Sequence, residues 1–281
     1  MNWKNAILHS DLYFAIVAIG TGIAGYVIYG IPFADLSPLL IISFLALNVC
    51  ATNRQIDEET DELNVPDRTI FLRKHGQTIY FISVAGLILS VILSALKTPA
   101  AAVVSLLTFI FGHFYSHNFP RVGRLREFFI IKNMSVGVMW ALMAILTPVY
   151  FGIFDISVIA LFLLFFMRMT FQTGLIDLRD IEGDLKAGIK TVPIVLGKEK
   201  TLIIAHIINL LPIALFLITK DFFHITNDFL MLNLLMSANA FIYIVALQID
   251  LHTDWIYSVV IDSETLLPSL GLIILKWIKI V

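Results

Sequence analysis

The 281-residue chain is 59% hydrophobic and only 14% charged, with a mean hydropathy of +0.90, far more apolar than a soluble domain. Its formal net charge of −2 leaves no basic excess for a nucleic-acid footprint. The single cysteine, Cys50, excludes an intramolecular disulfide and reads as a small packing residue inside an apolar run.

A hydrocarbon core takes about 20 mostly apolar residues per helix, so uncharged runs mark the predicted spans. The first, from Leu12 to Ile31, is longer than a signal-peptide core and no small-residue cleavage signal follows it. Runs at 36–53, 77–96, 98–120 and 133–154 come next. Within the fifth, Ser135-Val-Gly137 predicts close approach to a neighbouring helix. The sixth, 156–176, is apolar apart from Arg168, a charge costly enough at that depth to require a partner, a watery cavity or a route to the interface. Runs at 201–219 and 229–249 follow. The last, from about Leu266 to Val281, is short and holds Lys276 and Lys279, and 255–265 before it reads either as a connection or as a re-entrant or interfacial piece. The chain is thus predicted to be all-α, a polytopic membrane protein of about nine transmembrane helices in one domain, 1–281.

Lys and Arg are distributed unevenly between the two sides. The connections after spans 2, 4 and 6, with the starts of the following helices, carry Arg54, Arg68, Arg73, Lys74, Arg121, Arg124, Arg126, Lys132, Arg179, Lys186, Lys190, Lys198 and Lys200. Those after spans 1, 3, 5 and 7 carry only Lys97 and Lys220. The positive-inside rule puts the first set, and the N-terminus, in the cytoplasm.

Carboxylates cluster on that same side. Asn53, Asp57 and Asp61 recur at i, i+4 and i+8, sharing one face if the second helix continues through them. After span 6, Asp177, Asp180 and Asp184 repeat the device with spacings of three and four. An isolated Asp-x-x-x-Asp beside a membrane is usually a solvated loop end. Two such rows, four spans apart and therefore on one face, would repel each other without cations, and hard oxygen ligands with room for water suit Mg²⁺. Arg68, Lys132, Lys190 and one of Arg121 or Arg124 are the cations available for the outer oxygens of a metal-bridged diphosphate.

The run Asn53-x-x-x-Asp57-x-x-x-Asp61-x-x-Asn64-x-Pro66-x-Arg68 resembles the first aspartate motif of the UbiA-type prenyltransferases. The run from Asp177 through Asp180, Gly183, Asp184, Gly188, Lys190, Thr191 and Pro193 to Gly197 is similar to that family's second motif over its whole length. Tyr115-Ser116, the basic stretch after it and Lys132-Asn133 resemble the segment after the fourth helix. The resemblance implies a helical bundle around a central cavity open to lipid. There, Asn53, Asp57, Asp61, Asp177, Asp180 and Asp184 would hold Mg²⁺ and the diphosphate of an isoprenyl donor. Tyr115 joins the implied catalytic set, and Arg68, Lys132, Asn133, Lys190, Arg121 and Arg124 the implied diphosphate contacts. Prenyl transfer to a hydrophobic aromatic or lipid-like acceptor within the membrane follows, with Trp140 available to line the prenyl channel. Val65, Thr69 and Phe119 depart from the family pattern, and these departures bear on the acceptor.

Two other classes fit less well. CDP-alcohol phosphatidyltransferases open their aspartate pattern with Asp-Gly and Ala-Arg pairs, which nothing here matches. An ion transporter with acidic gates would carry charges near the midplane, whereas these acids fall at helix ends. For topology, single cysteines beside Arg73, Arg124 and Lys198, on a background lacking Cys50, are expected to react with impermeant reagents only from the cytoplasmic side. Labelling from outside would overturn the orientation.

Overall fold

A computed structural model describes residues 11–56, 66–118, 123–249, 251 and 256–278, with the side chains of 66–68 and 258 excluded. Among the described residues there are nine principal helices and no strand. They are α1 (Asp11–Ile28), α2 (Ser37–Ile56), α3 (Pro66–Lys97), α4 (Pro99–Ser116), α5 (Ile131–Tyr150), α6 (Ile156–Ile176), α7 (Lys198–Ile218), α8 (Asn227–Gln248) and α9 (Leu266–Trp277). The first eight are long and apolar enough to cross a membrane, and the protein is a multi-pass membrane protein.

Local chemistry sets the helix ends. Thr98 accepts from the Ala101 amide at 3.0 Å, and Pro99 occupies the first helical position, where its missing N–H costs nothing. Asp155 and Thr226 cap α6 and α8 in the same way, accepting from Ser157 at 2.8 Å and Phe229 at 3.2 Å. Gly197, at φ +81°, supplies the left-handed turn that leads into α7.

The main departure from the predicted spans is α3, which begins at residue 66 instead of 77. Arg73, Lys74 and His75 end the apolar run but not the helix, because charge limits membrane depth whereas backbone hydrogen bonding limits helix length. A second departure is α9. At 12 residues it spans about 18 Å, little more than half a hydrocarbon core of about 30 Å. A π-helical stretch, Ile256–Ile261, and a turn at 262–265 precede it. The Leu266 backbone lies where a Cβ on Gly20, midway along α1, would meet it at 2.5 Å. The ninth crossing is therefore composite, with irregular backbone near the motif face and α-helix beyond it.

Helices α1 and α5 are 72% buried against 28% for α3, so the first two sit centrally and the third faces lipid. Ile218, Trp277 and Leu96 are about 80% exposed, which in water would invite aggregation and in a bilayer supplies the lipid face. Lipid offers no hydrophobic drive between helices, so close approach of small residues matters more. Gly137 brings α5 against the Phe166 carbonyl of α6, where an added Cβ would lie at 2.8 Å. Gly137→Ala is expected to lower thermal stability in detergent by about 1–3 kcal/mol. Gly174→Ala, where nothing lies within 4 Å of the new Cβ, should be neutral or stabilising by about 0.5–1 kcal/mol. Equal melting shifts for the two variants would refute the packing role of Gly137.

Candidate active site

At the face where both motifs emerge, α1, α2, α4, α5 and α6 enclose a cavity of about 190 Å³. Its inner wall is apolar, with Val49, Met139, Trp140 and Met143, and its mouth is polar, with Asn53, Arg54, Tyr115, Arg179, Asp180 and Asp262.

The last turn of α2 presents Asn53, whose Oδ1 accepts from the Ser116 hydroxyl at 3.3 Å. That contact joins the ends of α2 and α4 and leaves Tyr115, one residue earlier, on the cavity wall. The second motif divides. Arg179 grips Asp180 with both nitrogens, Nε to Oδ1 at 2.8 Å and Nη2 to Oδ2 at 3.2 Å, and Asp180 lines the cavity. Asp177 and Asp184 turn instead to Lys132, whose ammonium donates to Asp177 Oδ1 and Asp184 Oδ2, both at 2.8 Å. Asn133 donates to the other oxygen of Asp177 at 2.9 Å. Both carboxylates are about 2% exposed. Burial pushes the Asp177 carboxyl up from its ordinary range, and Lys132 and Asn133 pull against that shift.

The remaining sequence-derived residues are placed differently. Lys190 is exposed in the connection between two short helices, Ile181–Lys186 and Val192–Leu196. Arg124 pairs with Glu127 at 2.7 Å. Asp57, Asp61 and Arg121 lie outside the described residues, as does the Arg68 side chain. Among the described residues no three His, Cys, Asp or Glu side chains converge. The donor chemistry still fits a hard cation, since Asn53 and Asp180 offer amide and carboxylate oxygens to one cavity.

Sequence reasoning passed over four residues. Arg54 pairs with Asp11 at 3.5 Å and lines the cavity beside Asn53. Arg126 is 7% exposed and lies within electrostatic reach of Asp180 and Asp184. Arg179 stands inside the second motif, next to the carboxylate it holds. Asp262 had one signal, as one of two acids, with Glu264, in the 255–265 stretch.

Arg168 meets the first of the expectations set by its depth, since it finds partners inside the bundle and does not reach the interface. It is 1% exposed and donates to Asn209 and Asn233, at 2.7 Å to Asn233 Oδ1, and to Ser237. The buried Glu264 attracts it electrostatically. It acts as an internal clamp between α6, α7 and α8, away from the lipid interface.

The model of the UbiA prenyltransferase family matches residues 12–255. The chain belongs to this family. It is 26% identical over 219 residues to digeranylgeranylglyceryl phosphate synthase of Sulfolobus acidocaldarius, covering 75% of this chain and 74% of the relative. Its fold resembles that of a UbiA homologue from Archaeoglobus fulgidus bound to GPP and Mg²⁺, with a TM-score of 0.69, 18% identity, and 95% and 99% of the two chains covered. It also resembles a structure reported for digeranylgeranylglyceryl phosphate synthase in membranes, with a TM-score of 0.61, 20% identity, and 99% and 98% covered. The UbiA prenyltransferases are enzymes, and the fold and motifs of this one agree with that membership.

Lys132 is the counter-ion on which the second motif's shape depends. Removing one partner of a buried ion pair leaves an uncompensated charge, at a cost of about 3–5 kcal/mol. Lys132→Met is expected to destabilise the folded protein by about that amount, and adding Asp177→Asn should recover part of the loss. Thermal melts of the two single variants and the double variant in detergent measure the coupling, and strict additivity would refute it.

Proposed function

We propose that this UbiA-family enzyme transfers a geranylgeranyl group from its diphosphate to the free hydroxyl of a prenylated glycerol phosphate, in a Mg²⁺-dependent reaction on the cytoplasmic side of the membrane. The observation that carries the acceptor is the similarity, over three quarters of the chain, to digeranylgeranylglyceryl phosphate synthases. The cavity supports it, because an amphiphile with an anionic head and a long apolar chain matches a mouth with Arg54 and Arg179 above an apolar wall. The side facing the cytoplasm rests on the charge distribution. The whole of 1–281 serves as one transmembrane domain.

Asn53, Asp57, Asp61 and Asp180 would hold Mg²⁺, with Asp177 and Asp184 contributing wherever Lys132 yields an oxygen. A cation held by these residues would supply Lewis-acid neutralisation of the leaving diphosphate. Lys132, Asn133, Arg68, Lys190 and either Arg121 or Arg124 would supply donors to the outer phosphate oxygens. The allylic C–O bond breaks heterolytically once that charge is balanced. The apolar wall keeps water from the resulting cation, and Trp140 offers it a π face. Tyr115, on the cavity wall, orients the reacting groups. No nucleophilic side chain takes part, because the acceptor itself attacks C1.

Purified protein supplied with geranylgeranyl diphosphate, geranylgeranylglyceryl phosphate and Mg²⁺ is expected to release diphosphate and form the doubly prenylated ether. A chelator should abolish turnover. Asp57→Ala and Asp180→Ala should each lose it while remaining folded and membrane-inserted. Product formed from a hydroxybenzoate, with none from the glycerol phosphate, would overturn the acceptor; wild-type rates in either variant would overturn the metal assignment.

A further inference from the structure

We infer that Asp262, which belongs to neither aspartate motif, is the group that receives the proton from the acceptor hydroxyl. Among the described residues of 256–265, it alone lines the cavity that Asn53, Tyr115 and Asp180 also line. It is 7% exposed, and Arg179 and Tyr13 lie within its electrostatic reach.

The backbone around Asp262 is irregular, and every neighbour is tied down. Gln172 of α6 donates to the Ile261 carbonyl. Asn239 of α8 donates to the Val260 carbonyl at 3.3 Å and to Glu264 Oε2 at 2.8 Å. The Tyr13 hydroxyl shares a 2.6 Å hydrogen bond with Ser263, and Thr265 donates to the Val17 carbonyl at 2.8 Å. The Arg179 guanidinium, while holding Asp180, lies 5.4 Å from the centre of the Tyr257 ring, and Tyr257 accepts the Asp262 amide at 3.0 Å. Non-helical backbone within a membrane survives only where protein buries it or it lines a cavity. An ionisable side chain at such a place is costly unless it has a task, and π-helical turns recur at functional sites. This segment fixes one carboxylate at the reaction cavity, held there by five hydrogen bonds that involve side chains.

Transfer to a hydroxyl, unlike ionisation of the donor, needs a proton acceptor; this assignment therefore rests on the hydroxyl acceptor proposed above. As the C1–oxygen bond to the diphosphate breaks, its electron pair leaves with the diphosphate. The acceptor oxygen then gives its lone pair to C1, and its proton passes to the Asp262 carboxylate. Arg179 and Arg54, at the same mouth, balance the carboxylate's charge beside the diphosphate.

The test separates the two halves of the reaction. With geranylgeranyl diphosphate and Mg²⁺ alone, donor affinity and scrambling of an ¹⁸O label from the bridging position report binding and C–O cleavage. Ether formation with geranylgeranylglyceryl phosphate reports transfer. Asp262→Asn is expected to reduce ether formation about 100-fold or more, the usual contribution of a positioned proton acceptor. Donor affinity and scrambling should stay within about threefold of wild type, and Asp262→Glu should restore part of the transfer. Wild-type transfer in Asp262→Asn overturns the assignment. Parallel loss of donor affinity and scrambling in both variants also overturns it, since that outcome makes Asp262 a metal ligand or a structural residue. If wild-type protein scrambles the donor but makes no ether, the acceptor reading fails, not the placement of Asp262.

Discussion

The Lys132 ammonium, shared at 2.8 Å between Asp177 and Asp184, is the interaction on which the site's geometry depends. It draws the start of α5, the end of α6 and the short helix after it to one buried point. Asp177 and Asp184 are seven residues apart and turn inward together, which leaves Asp180, between them, facing the cavity. A buried pair of this kind contributes little net stability once desolvation is counted. Its value is orientational: one carboxylate of three faces the cavity, braced by Arg179 on its own side.

The ninth crossing follows a related logic. A helix of 12 residues cannot traverse the bilayer, and the ten residues before it, a π-helical stretch and a turn, complete the passage without α-helical hydrogen bonding. Gln172 from α6 and Asn239 from α8 donate to backbone carbonyls of this stretch, and Tyr13 from α1 anchors the Ser263 side chain. The buried Arg168, with Asn209, Asn233 and Ser237, ties α6, α7 and α8 beneath that segment. Such polar links do in lipid what apolar burial does in water, because lipid is as apolar as the helices themselves. The result is a wall rigid enough to hold Asp262 at the cavity although its backbone is not helical.

Charge at the mouth and apolar surface within divide the chemistry between them. In the proposed reaction, cations and carboxylates at the helix ends would handle the diphosphate, where water is near and charges are least costly. The interior offers Trp140, Met139 and Met143, an apolar lining that would keep solvent from the proposed allylic cation. Placing the two regions end to end lets one amphiphilic substrate span both.

The sequence alone determined the spans, because uncharged runs of about 20 residues have one stable solution in a bilayer. It also determined the residue types of the site, since two aspartate rows four spans apart fall on one face. Asn53 and Asp180 were legible in this way and Tyr115 through the family resemblance, and each lines the cavity. Only the tertiary structure decided which charges face one another. Lys132 reads in sequence as a phosphate contact and stands in the fold between two carboxylates. Arg168 reads as a charge that needs a partner, a cavity or the interface, and the fold supplies the partners, 41 to 69 positions away. Asp262 carries no motif, and it becomes visible only when a broken ninth crossing brings it beside residues more than 80 positions earlier in the chain. Local pattern records which residue a helix carries and at what depth; the partner across the bundle is fixed by helix packing, and no single segment encodes it.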